Sequence, residues 1–176
     1  MLQAPMTWLE RCHAIYRRLL GKPVADLFLV DLIGHTRNFG AVTWLGEPIW
    51  QNVFDIWVTQ EVISEVRPTL IIECGTNRGG SAIFFAHLMD LLGIEGRIVS
   101  IDVEKMHDRK HDRVDFLIGS STSPYISNIV HGYRSGTDGP VIVILDSDHS
   151  QQHVAAELAV YAKFVTPAAI CSCRTA

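Results

Sequence analysis

Pro68-Thr-Leu-Ile-Ile-Glu-Cys-Gly-Thr-Asn-Arg-Gly-Gly-Ser81 is the stretch that decides the fold. Thr69 to Glu73 is a short apolar run rich in branched side chains, bounded by Pro68 and Gly75, the pattern of a strand buried on both faces of a parallel sheet. Gly75, Gly79 and Gly80 follow, and a helical pattern then runs from Ser81 to Leu92. Residues without a Cβ let the chain turn tightly and bring backbone N–H groups close to a ligand at a helix start. The reading is strand, glycine loop, helix.

Working outward, Phe54, Trp57, Val58, Glu61 and Val62 recur in threes and fours and predict a helix from Val53 to Val66, which Pro68 closes. Downstream, Arg97 to Asp102, Val114 to Ile118 and Pro140 to Asp146 read as further strands, with helices from Tyr125 to Tyr133 and Gln151 to Phe164. Alternating strands and helices imply parallel strands, right-handed crossovers and helices on both faces. A ligand then belongs at the carboxyl ends of the strands. The fold class expected is a Rossmann-like α/β sheet over residues 41–176, preceded by a helical extension over residues 1–40. In that extension Trp8, Cys12, Ile15, Tyr16 and Leu19 follow Thr7, a candidate N-cap, and Gly21 with Pro23 is expected to end the helix.

Chemistry enters at the strand ends. Asp102 lies 22 residues beyond Gly80, near the spacing at which an acidic side chain takes the ribose hydroxyls of an adenosine-containing cofactor. That spacing fits NAD and S-adenosylmethionine alike, and a glycine loop alone can be a plain turn. The loop departs from G-x-G-x-x-G, the pyrophosphate fingerprint, and carries Glu73 just ahead of its first glycine. S-adenosylmethionine has no pyrophosphate and presents a cationic sulfonium and amino group, which a nearby carboxylate suits.

Composition excludes several classes. Hydrophobic residues at 48% and charged residues at 19% describe a chain that folds, and 176 residues suit one sizeable core. A net charge of -4, with no basic cluster among aromatics, argues against nucleic acid. No apolar run reaches the roughly 20 residues of a membrane span, and no signal-peptide pattern opens the chain, so a cytoplasmic address is expected. Cys12, Cys74, Cys171 and Cys173 make no C-x-x-C pair and are expected to be reduced thiols.

Thr43-Trp-Leu-Gly-Glu-Pro-Ile49, Asp55-Ile-Trp-Val-Thr-Gln-Glu61, Pro68-Thr-Leu-Ile-Ile-Glu-Cys-Gly-Thr76, Gly79-Gly-Ser81, Gly119-Ser-Ser-Thr122 and Leu145-Asp-Ser-Asp-His149 resemble, in this order, the cephalosporin hydroxylase and rhamnosyl O-methyltransferase family. The resemblance covers about residues 40 to 165. It implies the class I methyltransferase fold, S-adenosylmethionine as cofactor, often a divalent metal such as Mg²⁺, and as acceptor a hydroxyl of a sugar, glycolipid or small natural product. Carried over by position, it puts the methionine portion at Glu73, Gly75, Thr76, Gly79, Gly80 and Ser81, the ribose at Asp102 and the adenine near Ser120 and Ser121. Asp146 is then the implied metal ligand. Read from the residues themselves, a strand-end carboxylate beside Asp148, His149 and His153 can hold a hard divalent cation or position an acceptor hydroxyl, with Asp146 and His149 as the catalytic candidates and His153 four residues further on.

The sequence departs from that family after Pro167, where a fifth strand ending in an acidic pair is called for. The chain reads Ala168-Ala-Ile-Cys-Ser-Cys-Arg-Thr-Ala176, and no acidic residue follows Glu157. The expectation is a shortened or frame-shifted member, or one that does without the second part of the metal shell, with later strands missing and a sheet edge uncovered. Three functions stay open: an O-methyltransferase, a cofactor-binding remnant with impaired catalysis, and a NAD-dependent oxidoreductase. A homo-oligomer is left open as well.

Overall fold

In the computed structural model, which describes residues 8–166 and 171–173, the chain forms two units, residues 1–41 and 42–176. In the first, α1 (Trp8–Tyr16) does not stop at Gly21 and Pro23 as the sequence suggests. A π-helical turn, Arg17–Gly21, passes directly into α2 (Lys22–His35). Pro23 falls in the first turn of α2, where a missing N–H costs nothing, and the widened turn before it gives up the regular ladder. Thr36 Oγ1 donates to the Leu32 carbonyl at 2.7 Å, and the left-handed run Arg37, Asn38 and Phe39 ends the segment. Thr7, the candidate N-cap, lies outside the described residues.

The second unit opens on a hairpin of β1 (Thr43–Trp44) and β2 (Glu47–Pro48), Trp44 facing Glu47 across a two-residue turn. Leu45 and Gly46 both have positive φ, at 51° and 85°, the turn that matches the twist of paired strands. The sequence reading took this segment only as a family motif. In α3 (Val53–Val66), the Asn52 side chain caps the first turn by accepting from the Phe54 N–H at 3.0 Å. At the other end Arg67 adopts the left-handed conformation before Pro68, and its guanidinium donates to the Leu92 carbonyl at 3.0 Å.

The sheet is built from β3 (Leu70–Cys74), β4 (Arg97–Asp102), β5 (Val114–Ile118), β6 (Val141–Leu145) and β7 (Cys171–Cys173). All are parallel, in the order β5-β4-β3-β6-β7. The helices between them are α4 (Gly80–Leu91), α5 (Pro124–Ser135) and α6 (Gln151–Tyr161). Leu70, Ile72, Cys74, Val99, Ile101, Val143 and Leu145 pack on one face with Ile126, Val130, Tyr161 and Phe164. Alternation sends Ile71, Glu73, Ile98 and Ser100 to the other face, where α4 is buried along most of its length. Helices on both faces explain why β6 reads as an unbroken apolar run and β3 as one interrupted only by Glu73.

From β3 the chain first winds toward β4 and β5, then crosses back to β6. The strand order therefore reverses between β3 and β6, and a crevice opens there at the carboxyl ends. A fifth sheet strand does follow residue 170: Cys173 pairs with Leu145, the residue before Asp146, so β7 occupies the position where an acidic strand end was called for. Residues 167–170 and 174–176 lie outside the described residues. Among the described residues, Cys12 and Cys74 take part in no disulfide. Among the described residues no helix is long and apolar enough to cross a membrane.

Candidate functional site

The carboxyl ends of β3, β4 and β6 border a cavity of about 600 Å³. Gly75, Thr76, Gly80, Ser81, Asp102, Ser121, Asp146 and His149 all line it, so seventy residues of sequence separation collapse into one cleft. The close approaches that make this cleft depend on two glycines. A Cβ at Gly75 would lie 2.1 Å from the Asp146 carbonyl, and one at Gly80 would lie 2.0 Å from the Pro48 carbonyl of the hairpin. Backbone from β6 and from β2 is thus pressed against the glycine loop.

Glu73 is placed differently from the expectation that its carboxylate meets a cationic ligand. It is 1% exposed and does not line the cavity. Both oxygens turn into the junction of β3 and α4, one accepting from Ser81 Oγ and the other from Ser100 Oγ, each at 2.5 Å. Thr76 Oγ1 and Ser100 Oγ, 2.7 Å apart, extend the chain. A buried carboxylate needs such donors, and here they fix the Ser81 hydroxyl at the start of α4. Asp102 does line the cleft. Its Oδ2 accepts from the Asn77 N–H at 2.7 Å, and Oδ1 accepts a longer bond from the Glu104 N–H at 3.3 Å.

Of the two serines expected at the far end, Ser121 lines the cavity and Ser120 does not; the Ser120 hydroxyl pairs with Thr122 Oγ1 at 3.1 Å. Ser121 Oγ donates to Glu157 Oε1 at 2.5 Å, and Ser147 Oγ donates to the same oxygen at 2.7 Å. His153 Nε2 is 3.2 Å from it. Glu157, fully buried, therefore ties the Gly119 loop, the loop after β6 and α6 together. Tyr161, whose hydroxyl donates to the Ser121 carbonyl at 2.5 Å, is held neutral well above the usual tyrosine range by burial. Sequence reading passed over Glu157; its place four residues after His153 on one helix face was the available signal.

At the remaining end, Asp146 Oδ2 accepts from Gln51 Nε2 at 3.0 Å. His149 Nε2 lies 4.0 Å from Asp146 Oδ1, with the imidazole part exposed. Asp148 points to solvent and caps its own turn, Oδ1 accepting from the Ser150 N–H at 2.8 Å, which holds its carboxyl below the usual range. Asp146 and His149 are therefore brought together, while Asp148 borders the same cleft with one oxygen committed to its own turn. Gly79, also expected in the cofactor loop, is covered instead by the His107 ring, 2.7 Å from where a Cβ would be. Burial, with Arg109 and Lys105 adding to it, pushes the His107 imidazole below the ordinary histidine range. Pro48 to Gln51, Val103 and Met106 also line the cleft; of these only Pro48 and Ile49 fell within a motif of the family resemblance, and none was singled out as a site residue from the sequence.

A model of the family described as Rhamnosyl O-methyltransferase/CmcI matches residues 37–174. A rhamnosyl O-methyltransferase of Mycobacterium tuberculosis is 39% identical over 120 residues, covering 66% of this chain and 49% of the relative. The corresponding protein of Mycobacterium leprae is 34% identical over 131 residues, covering 73% and 57%. The chain thus spans about half the length of the curated relatives it matches. Among solved structures, one described as "cmcI-D160 Mg-SAM" superposes with a TM-score of 0.56 at 21% identity, over 70% of this chain and 53% of that one. Another, "cmcI-N160 SAH", gives 0.54 at 20% identity, over 69% and 60%. These two support the α/β fold described above.

Proposed function

This chain belongs to the rhamnosyl O-methyltransferase/CmcI family, and from that premise we propose that it binds S-adenosylmethionine and directs a methyl group to a hydroxyl of a sugar, glycolipid or small natural product. The observation that carries the reading is the convergence of Gly75, Ser81 and Asp102 on one cleft that Asp146 and His149 also line. Bound there, S-adenosylmethionine would supply an electrophilic methyl on a sulfonium. The cleft suits it: glycines at the close approaches, a fixed Ser81 hydroxyl, and an Asp102 carboxylate whose Oδ1, holding one long bond from Glu104, has a lone pair for a ribose hydroxyl. Gly119 and Ser121 are the residues proposed to flank the adenine.

At the other end the acceptor hydroxyl is proposed to lie beside Asp146 and His149. Holding that oxygen in line with the methyl supplies most of the acceleration such a transfer needs. His149 would take the hydroxyl proton as the acceptor oxygen gains the methyl, the sulfur keeping the electron pair of its former bond to carbon. Asp146 is also the carboxylate that the family resemblance assigns to a divalent cation. The fit is poor: Mg²⁺ takes about six oxygens and is commonly anchored on one or two carboxylates. Asp146 already accepts from Gln51, and among the described residues there is no group of three or more acidic, histidine or cysteine side chains that could hold a metal. No step is assigned to a cation.

That same scarcity favours a second reading, a cofactor-binding unit with slow chemistry. Methyl transfer from labelled S-adenosylmethionine to hexose and phenolic acceptors separates the two. The expected outcome is cofactor binding with weak transfer that Mg²⁺ raises little; brisk Mg²⁺-dependent turnover, lost in Asp146→Ala, contradicts it.

A further inference from the structure

The end of β4 and the segment after it grip the glycine loop at three consecutive residues. Asp102 accepts from the Asn77 N–H at 2.7 Å, Arg109 Nε donates to the Arg78 carbonyl at 2.7 Å, and the His107 ring lies over Gly79. The ring itself is fixed from both sides: Nδ1 accepts from the Arg109 N–H at 3.1 Å, and Phe116 packs edge-on at 4.5 Å. Arg109 then reaches beyond the loop. Its Nη1 pairs with the Glu47 carboxylate of β2, immediately before Pro48, whose carbonyl presses against Gly80. One guanidinium thus joins the three segments that wall the cofactor end of the cleft: the hairpin, the glycine loop and the segment after β4.

We propose that Arg109 is a positioning residue for the cofactor, clamping the glycine loop to the hairpin through Glu47 so that the cleft is formed before the ligand arrives; this rests on the S-adenosylmethionine reading given above. Arg109 suits the task because its planar fork presents donors in fixed directions, one to a carbonyl and one to a carboxylate, whereas a lysine offers a single point charge. The pair is partly shielded, with the Arg109 side chain 22% and the Glu47 side chain 48% exposed. An isolated surface pair contributes little to stability. Its effect is therefore expected in ligand affinity, where loop order would otherwise have to be established on binding.

The test is calorimetric titration of the full chain with S-adenosylhomocysteine, for the wild type, Arg109→Ala, Arg109→Lys, Glu47→Gln and the Arg109→Ala/Glu47→Gln double variant. Arg109→Ala is expected to weaken binding about tenfold or more, and Arg109→Lys to recover little of it. Glu47→Gln is expected to weaken it less, and the double variant no more than Arg109→Ala alone, because both act through one clamp. Raising ionic strength is expected to weaken binding by the wild type and to leave Arg109→Ala nearly unmoved, which a loss of general stability does not produce. Should Arg109→Ala fail to fold, the partly exposed Glu47→Gln and the salt series carry the decision. Undiminished affinity in folded Arg109→Ala, additive losses in the double variant, or equal salt dependence overturns the clamp while leaving the cofactor reading intact. Absence of binding by the wild type overturns the cofactor reading, and the clamp with it.

Discussion

Asp102 and Glu73 end neighbouring strands, yet their surroundings give them different work. Glu73 spends both oxygens on Ser81 and Ser100 and so shapes the loop from behind. Asp102 lines the cleft and accepts from backbone on both oxygens, a short bond from Asn77 and a longer one from Glu104. Asp102→Ala is therefore expected to lose a charge-assisted hydrogen bond to the ribose and a support of the glycine loop together, weakening S-adenosylmethionine about tenfold to a hundredfold by titration. An unchanged affinity contradicts that assignment. Position along a strand made Asp102 legible in the sequence; the inward turn of Glu73 was not, because it depends on serines on α4 and β4 meeting in space. His107 gives a second residue-level expectation. Its imidazole resists protonation in the folded state, so the unfolded chain takes up a proton more readily as pH falls below about 6.5, the ordinary histidine value. Its contribution to stability is fully present above that pH and is lost below it. Denaturant midpoints from pH 7.5 to 5 are expected to fall less in His107→Phe than in the wild type; parallel curves contradict this.

Among the elements, the glycine loop and the hairpin decide whether a ligand can enter. Gly79 has φ 73° and lies under the His107 ring, so Gly79→Val meets backbone strain and a clash at once. The strain alone costs of the order of 1–3 kcal/mol. The clash is with the His107 ring of the segment after β4. The expected outcome is a folded but less stable protein with no measurable cofactor binding, read by circular dichroism and titration, and unaltered binding would make the loop a plain turn. Elements with strong periodicity, α3 and the central strands, were readable to within a residue because burial on both faces or a defined cap fixes them. The α1 to α2 continuation was not, since a π-helical turn carries no pattern of its own. The hairpin was missed because two-residue strands are too short for alternation to register.

For the molecule as a whole, the parallel order β5-β4-β3-β6-β7 brings residues 48 to 153 around a single crevice. Cofactor end and acceptor end are unequally furnished. The first has a glycine loop, a fixed hydroxyl, a strand-end aspartate and the Arg109 bridge; the second has Asp146 and His149 with no further carboxylate lining the cleft but outward-turned Asp148. Binding should accordingly be stronger evidence of kinship than turnover is. The most direct measurement is isothermal titration of the full chain with S-adenosylmethionine and, in parallel, with NAD, repeated for Asp102→Ala. Saturable binding of S-adenosylmethionine, weakened in the variant, with none of NAD, is the result predicted; binding of NAD in preference, or of neither by the folded wild-type chain, contradicts it.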